Sequence, residues 1–307
     1  MILSTKNTII IGACIFLSLF PCTLTIILSN ENVLKHNLTK GSIIQPRSIT
    51  PSNTRTLNFS GYEWIVRDNL DALQGPGPNY FSNSTSNVWV DVLGRLHLKI
   101  TESTSQWYCA EIYSVSHFGY GSYRFTIAPG FENLDENIVV GLFTYLNDTQ
   151  EIDIEFARWG DQAAFNGQYV IQPYYKQGNI NRFPMDPEGQ NSTHQFDWCK
   201  NYIKFQSHLG TIGQNTSENL IEEWYYYGTD NPKPSTERVH MNLWLFQGQS
   251  PRDSNEAEVI IENFEYKSIA CDETVPSMDP VLIAIGITIF IGLFGIASIF
   301  FVKKLRK

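Results

Sequence analysis

Residues 151–155 read Glu-Ile-Asp-Ile-Glu, and a strand is the regular backbone that sorts such a run by chemistry. Successive side chains of a strand point to opposite faces, so Ile152 and Ile154 go one way and Glu151, Asp153 and Glu155 the other. The chain must therefore supply a sheet with one buried face and one face that tolerates three carboxylates. Like charges in a row repel, and Asp is a poor strand former. A solvated edge strand is one place for such a row. A reaction centre is the other.

The neighbouring sequence fits a sheet. From residue 62 to about 270, short strand-like runs follow one another with turn residues between them. They are 87–92, 95–101, 110–115, 121–128, 138–146, 151–157, 168–175, 202–207, 240–246 and 258–266, punctuated by Gly94, Gly119, Pro129-Gly130 and Gly228. No long helical period and no internal repeat interrupts them. The expectation is an all-β protein, one large antiparallel sandwich. Aromatics at 13% and charged residues at only 17% agree with that. The rings can fill a sandwich core or stack on the apolar faces of sugars. A net charge of −9 makes nucleic acid an unexpected partner.

Two apolar segments bracket this region. Residues 8–28 follow a short head containing Lys6 and read as a signal peptide or a signal anchor. Residues 281–302 carry no charge and are long enough to span a bilayer core as a helix. Asp279-Pro280 supplies its capping carboxylate and first-turn proline. Lys303, Lys304, Arg306 and Lys307 follow, which makes 303–307 a cytoplasmic basic tail. The organisation expected is thus a polar stalk at 29–60, a β-sandwich domain at 61–270, a linker at 271–280 and a transmembrane helix. The domain would sit outside a cell membrane. Asn-x-Ser/Thr sequons at Asn37, Asn58, Asn83, Asn147, Asn191 and Asn215 all fall between the apolar segments. Outside those segments the cysteines are Cys109, Cys199 and Cys271. Their odd number permits at most one internal disulfide. Cys199–Cys271 is the expected pair, although sequence leaves the pairing open. No spacing resembles a zinc site.

The carboxylate row has a chemical use. Four strand steps put the Glu151 and Glu155 Cα atoms roughly 13 Å apart, and two long side chains leaning together close most of that gap. Carboxyl groups about 5–5.5 Å apart are what a retaining glycosidase requires: one attacks the anomeric carbon, the other protonates the leaving oxygen and later activates water. Asp153 between them can hydrogen-bond one partner and raise the pKa of the other.

Glu-Ile-Asp-Ile-Glu-Phe, at 151–156, resembles the signature of glycoside hydrolase family 16, in the regular-strand form of lichenases and the xyloglucan-acting branch. The likeness extends in order over roughly residues 60–268. Ala110-Glu111-Ile112-Tyr113-Ser114 and Gly119-Tyr120-Gly121-Ser122-Tyr123 resemble the strands before the signature. Val140-Gly141-Leu142-Phe143-Thr144-Tyr145 resembles the strand entering the cleft. His194-Gln195-Phe196-Asp197-Trp198 and Met241-Asn242-Leu243-Trp244 resemble strands after it. The resemblance implies a concanavalin A-like jelly-roll β-sandwich. It implies Glu151 as nucleophile, Asp153 as assisting carboxylate and Glu155 as general acid/base. It puts Phe143, Tyr145, Tyr175, Asn242 and Trp244 among sugar-contacting groups, whereas His194 reads as structural. Departures are Arg124 where the family has a Glu expected on the cleft floor, Thr149-Gln150 where lichenases have a Trp, and Pro173 where the family has an Asn. Arg124 thereby becomes a candidate reader of substrate. No cofactor is implied. Some relatives carry a structural calcium ion, but no ligand cluster in this chain commits it to one. The expected partner is a β-glucan-type polysaccharide, met by an endo-acting hydrolase or transglycosylase. A lectin-like receptor and a structural surface protein are the competing readings.

Overall fold

A computed structural model of the chain describes residues 54–271, except 212, 214 and 215. Both apolar segments, the stalk up to residue 53, the linker beyond Cys271, the basic tail, Asn37 and Asn215 lie outside the described residues. Among those described, no helix is long and apolar enough to cross a membrane.

In chain order the strands are β1 (Thr56–Phe59), β2 (Tyr62–Val66), β3 (Tyr80–Phe81), β4 (Val88–Val90), β5 (Leu96–Ser103), β6 (Gln106–Ser114), β7 (Gly121–Ile127) and β8 (Ile138–Asn147). They continue with β9 (Gln150–Phe156), β10 (Gly167–Ile171), β11 (Ile180–Phe183), β12 (Ser192–Trp198), β13 (Ile203–Leu209), β14 (Leu220–Tyr226), β15 (Arg238–Leu245) and β16 (Ala257–Lys267). One layer runs β11-β10-β9-β8-β15-β6-β2-β1, and the other runs β4-β5-β16-β7-β12-β13-β14. The layers join where the far end of β5 pairs with the start of β6. Every pairing among the described strands is antiparallel except the short β3–β6 contact.

Alternation explains why the layers stack. On β9, Ile152, Ile154 and Phe156 are buried, and on β15 so are Val239, Met241, Leu243 and Leu245. Phe125, Phe196, Phe205 and Phe264 of the second layer are also buried. Each such side chain contributes ~1.5–3 kcal/mol by leaving water. Tyr169 of β10 crosses between layers: its ring stacks on Phe205 at 4.8 Å, and its hydroxyl donates to Ser207 Oγ at 2.6 Å. His194 is structural, as expected. Its ring nitrogens meet the hydroxyls of Ser192 and Ser207, both at 2.8 Å, and burial pulls its pKa down to about 3.

Three expectations change. The polar stalk does not extend to residue 60: Leu57 and Phe59 alternate with polar neighbours, β1 pairs with β2, and Phe59 is buried. Arg55 also donates to the carbonyls of Asn83 and Val88, both at 2.7 Å. The run expected at 168–175 ends at Ile171, because Pro173 has no N–H to continue a ladder. Strands β1, β2, β3, β11, β12 and β14 fall outside the strand-like runs of the sequence.

The disulfide joins Cys199 to Cys271, and Cys109 is free and buried. A staple across a sequence separation of 72 residues restricts the unfolded chain by about 4 kcal/mol. Replacing both cysteines with serine is expected to lower Tm by roughly 8–16 °C in a thermal melt. An unchanged Tm would show that the bridge carries no stability.

Candidate active site

Strand register fixes which side chains share the face of the first layer that points away from the core. One row across the strands reads Glu111, Asn242, Gly141, Glu155, Gln168 and Arg182. The next reads Ile65, Tyr113, His240, Phe143, Asp153 and Val170. A third carries Arg238, Tyr145 and Glu151. The triad therefore stands on this face as the alternation requires. Asp153 is buried, while Glu151 and Glu155 are half-buried.

Each carboxylate has its own support. Gln168 Nε2 donates to Glu155 Oε2 at 2.7 Å, and Arg182 Nε donates to Gln168 Oε1 at 3.0 Å, which orients the amide. Gln172 Nε2 donates to Asp153 Oδ2 at 3.1 Å. Burial is the largest influence on all three and pushes each above the ordinary carboxylate range, Glu151 up to about 8 and Glu155 up to about 7. Burial, then repulsion from Glu151 and Glu155, raises Asp153 strongly. Taken singly, the first two values are in the reverse order for an ionised nucleophile and a protonated acid. The Asp153–Glu151 hydrogen bond works against that order, because it favours neutral Asp153 and charged Glu151. That hydrogen bond leaves Glu151 less raised than burial alone would make it.

This arrangement has a stability signature. Acids whose pKa rises on folding bind more protons folded than unfolded, so stability is full below the unfolded pKa and falls as pH rises toward the folded one. For Glu151 and Glu155 the window is pH 4.5 to about 8. Asp153→Asn removes the most buried acid and is expected to stabilise the domain at pH 8 by ~1–2 kcal/mol, with little gain at pH 4. Thermal melts at the two pH values check it, and an equal gain at both would contradict the electrostatic cause.

The other residues singled out by sequence divide. Phe143, Tyr145, Asn242 and Trp244 share the triad's face. Gly141 lets Asn242 lie close to the sheet, since a Cβ there would sit 2.5 Å from Asn242 Oδ1. That amide oxygen is buried without a hydrogen-bond partner among the described residues. Tyr145 donates to Asp148 at 2.9 Å. Tyr175 does not join the group; it lies beyond the end of β10 and is 76% exposed. Arg124 is a correction: it stands on β7 of the second layer, between buried Tyr123 and Phe125. Its guanidinium reaches Glu265 at 3.5 Å. The same alternation that buries its neighbours aims it away from the core, on the opposite side of the sandwich from the carboxylates. Pro173 lies beyond the end of β10, and the β10 residue opposite Asp153 is Val170. A surface hollow of about 520 Å³ lined by Gly160, Asp161, Gln162, Ala163 and Arg252 contains none of the three carboxylates.

Sequence reasoning missed Glu111, His240, Gln168, Gln172 and Arg182. Glu111 and His240 carried a usable signal, since each is two positions from another residue of the same face. Gln172 and Arg182 gave none, because their partners are on other strands.

An all-β sandwich with a carboxylate row on one sheet face defines the class of protein. The model for glycosyl hydrolases family 16 matches residues 78–261, more than half of the chain, and the chain belongs to that family. Solved structures share the jelly-roll-like fold. A Bacillus licheniformis β-glucanase is 24% identical with a TM-score of 0.51, covering 71% of this chain and 100% of its own. A β-1,3-glucanase from Mycobacterium marinum is 17% identical, TM-score 0.50, covering 66% and 90%. An immunostimulatory antigen of Mycobacterium tuberculosis described as a pseudo β-1,3-glucanase is 15% identical, TM-score 0.50, covering 67% and 91%. No curated protein sequence matches the chain.

Proposed function

We propose that this chain is a retaining, endo-acting glycoside hydrolase or transglycosylase that cleaves a β-glucan-type polysaccharide. The observation that carries the reading is the trio Glu151, Asp153 and Glu155 on one sheet face, each carboxyl pushed upward by burial and two of them held by glutamine amides. Glu151 attacks the anomeric carbon and forms a glycosyl-enzyme. Glu155 gives its proton to the leaving oxygen, then takes one from the incoming water or sugar hydroxyl. Asp153, protonated, steadies the charge on Glu151. Phe143, Tyr145 and Trp244 offer ring surface to the sugars, and the unpartnered Asn242 Oδ1 accepts from a sugar hydroxyl. This chemistry uses no cofactor. The proposed setting is the outer side of a cell membrane, tethered through residues 281–302. Of the described sequons, Asn58, Asn83, Asn147 and Asn191 are not buried, so glycosylation there needs no unfolding.

A binding-only, lectin-like role is the second reading, since this fold also serves a protein described as a pseudo-glucanase. Hydrolysis of β-1,3-, β-1,4- and mixed-linkage glucans separates the two. Reducing ends released by wild type but not by Glu151→Gln support the enzyme. Equal inertness of both, with retained glycan binding, would sink it.

A further inference from the structure

The face that carries the triad also holds a charged cluster that the proposed mechanism does not use. Glu111 is 2% exposed. Its Oε2 lies 2.6 Å from Arg67 Nη1, and its Oε1 lies 2.9 Å from His240 Nδ1. Arg67 is anchored in turn, donating through Nη2 to the Gly75 carbonyl at 2.6 Å. Both oxygens of Glu111 are thus already engaged within the protein, and the carboxylate orients its neighbours.

His240 is the neighbour so oriented. Its ring is stacked between Phe143 at 4.9 Å and Tyr113 at 5.4 Å, with planes 25° and 20° from parallel. The stack restricts the ring's tilt, and the Glu111 contact puts the proton on Nδ1. Nε2 has no hydrogen-bond partner among the described residues, and the side chain is 13% exposed. His240 shares its row with Asp153, two strands away. Strand spacing makes that separation roughly 10 Å. A pre-oriented acceptor at this distance serves a glycan unit beyond the one being cleaved.

We propose that His240 is a specificity-determining residue: Nε2, held by Glu111 between Tyr113 and Phe143, accepts a hydrogen bond from a hydroxyl of a sugar unit about two strand spacings from Asp153. The proposal rests on the glycan-cleaving reading above and adds where along the bound chain a hydroxyl is read.

The test is kcat/KM on aryl β-gluco-oligosaccharides of increasing length, for wild type and for His240 variants. His240→Ala should lose about tenfold more on substrates long enough to reach the residue than on the shortest one turned over. His240→Gln, whose amide reaches toward the Nε2 position, should recover part of that loss. His240→Asn, whose amide reaches only toward Nδ1, should not. A loss independent of length, or rescue by Asn rather than Gln, would mean that the ring only braces Glu111 and would overturn the proposal. Should wild type be inert on every substrate, the hydrolase reading fails by itself. Calorimetry of the same sugars, without the aryl group, against Glu151→Gln and Glu151→Gln/His240→Ala then decides the contact. Equal affinities overturn it, as does no binding at all, and a tenfold weaker double variant upholds it.

Discussion

On the proposed mechanism, Glu151→Ala is expected to abolish turnover of a β-glucan, with kcat falling on the order of 10⁴-fold or more, because no glycosyl-enzyme forms once the proposed attacking carboxylate is gone. Azide added to this variant enters the space left by the side chain and attacks the anomeric carbon directly. One displacement instead of two yields a glycosyl azide of inverted configuration, which proton NMR of the product reads. Rescue of Glu151→Ala with retained configuration would exchange the proposed roles of Glu151 and Glu155. The fold supports a clean experiment: Glu151 sits near the start of β9, and Ile152 and Ile154, which anchor the strand, are untouched.

Glu155→Ala is expected to lose roughly 10²–10⁴-fold on natural glucan, where the leaving oxygen needs a proton, and far less on an aryl glycoside whose leaving group departs unaided. The pH profile provides a second signature. In its proposed role Glu155 serves as acid only while protonated, and burial holds its pKa up to about 7. Wild-type kcat/KM should therefore fall as pH rises through about 7, and that alkaline limb should vanish for Glu155→Ala on the activated substrate. Persistence of the limb would assign it to another group. Gln168→Leu should shift the limb upward, since the Gln168 amide stabilises the charged form of Glu155.

How much of this was legible beforehand depends on the range of the interaction. Alternation at 151–155 is local, so the orientation of the triad and the burial of Ile152 and Ile154 followed from five residues. Phe143, Tyr145, Asn242 and Trp244 stand on the triad's face as well, through strands whose own alternation places them. Arg124 was placed on the cleft floor by the likeness to the family, and alternation could not correct that, because it reports that a side chain faces away from the core but not on which layer. Both layers of a sandwich have an outward face, and only the pairing of β7 with β12 and β16 assigns Arg124 to the second. Tyr175 changes place for a smaller reason, since the strand ends at Ile171 and leaves it in the loop that follows.

The same division holds for the carboxylate row itself. Sequence alone determined that this chain builds β-structure, that one strand presents three acids on one face, and which family's motifs it carries. Tertiary structure decided what makes those acids chemically unusual. Gln168 and Gln172 come from β10 and the residue after it, Arg182 from β11, and the Glu111–His240 pair from β6 and β15. A pKa depends on burial and on charges within a few ångströms, whatever their distance along the chain, so no window of sequence contains it.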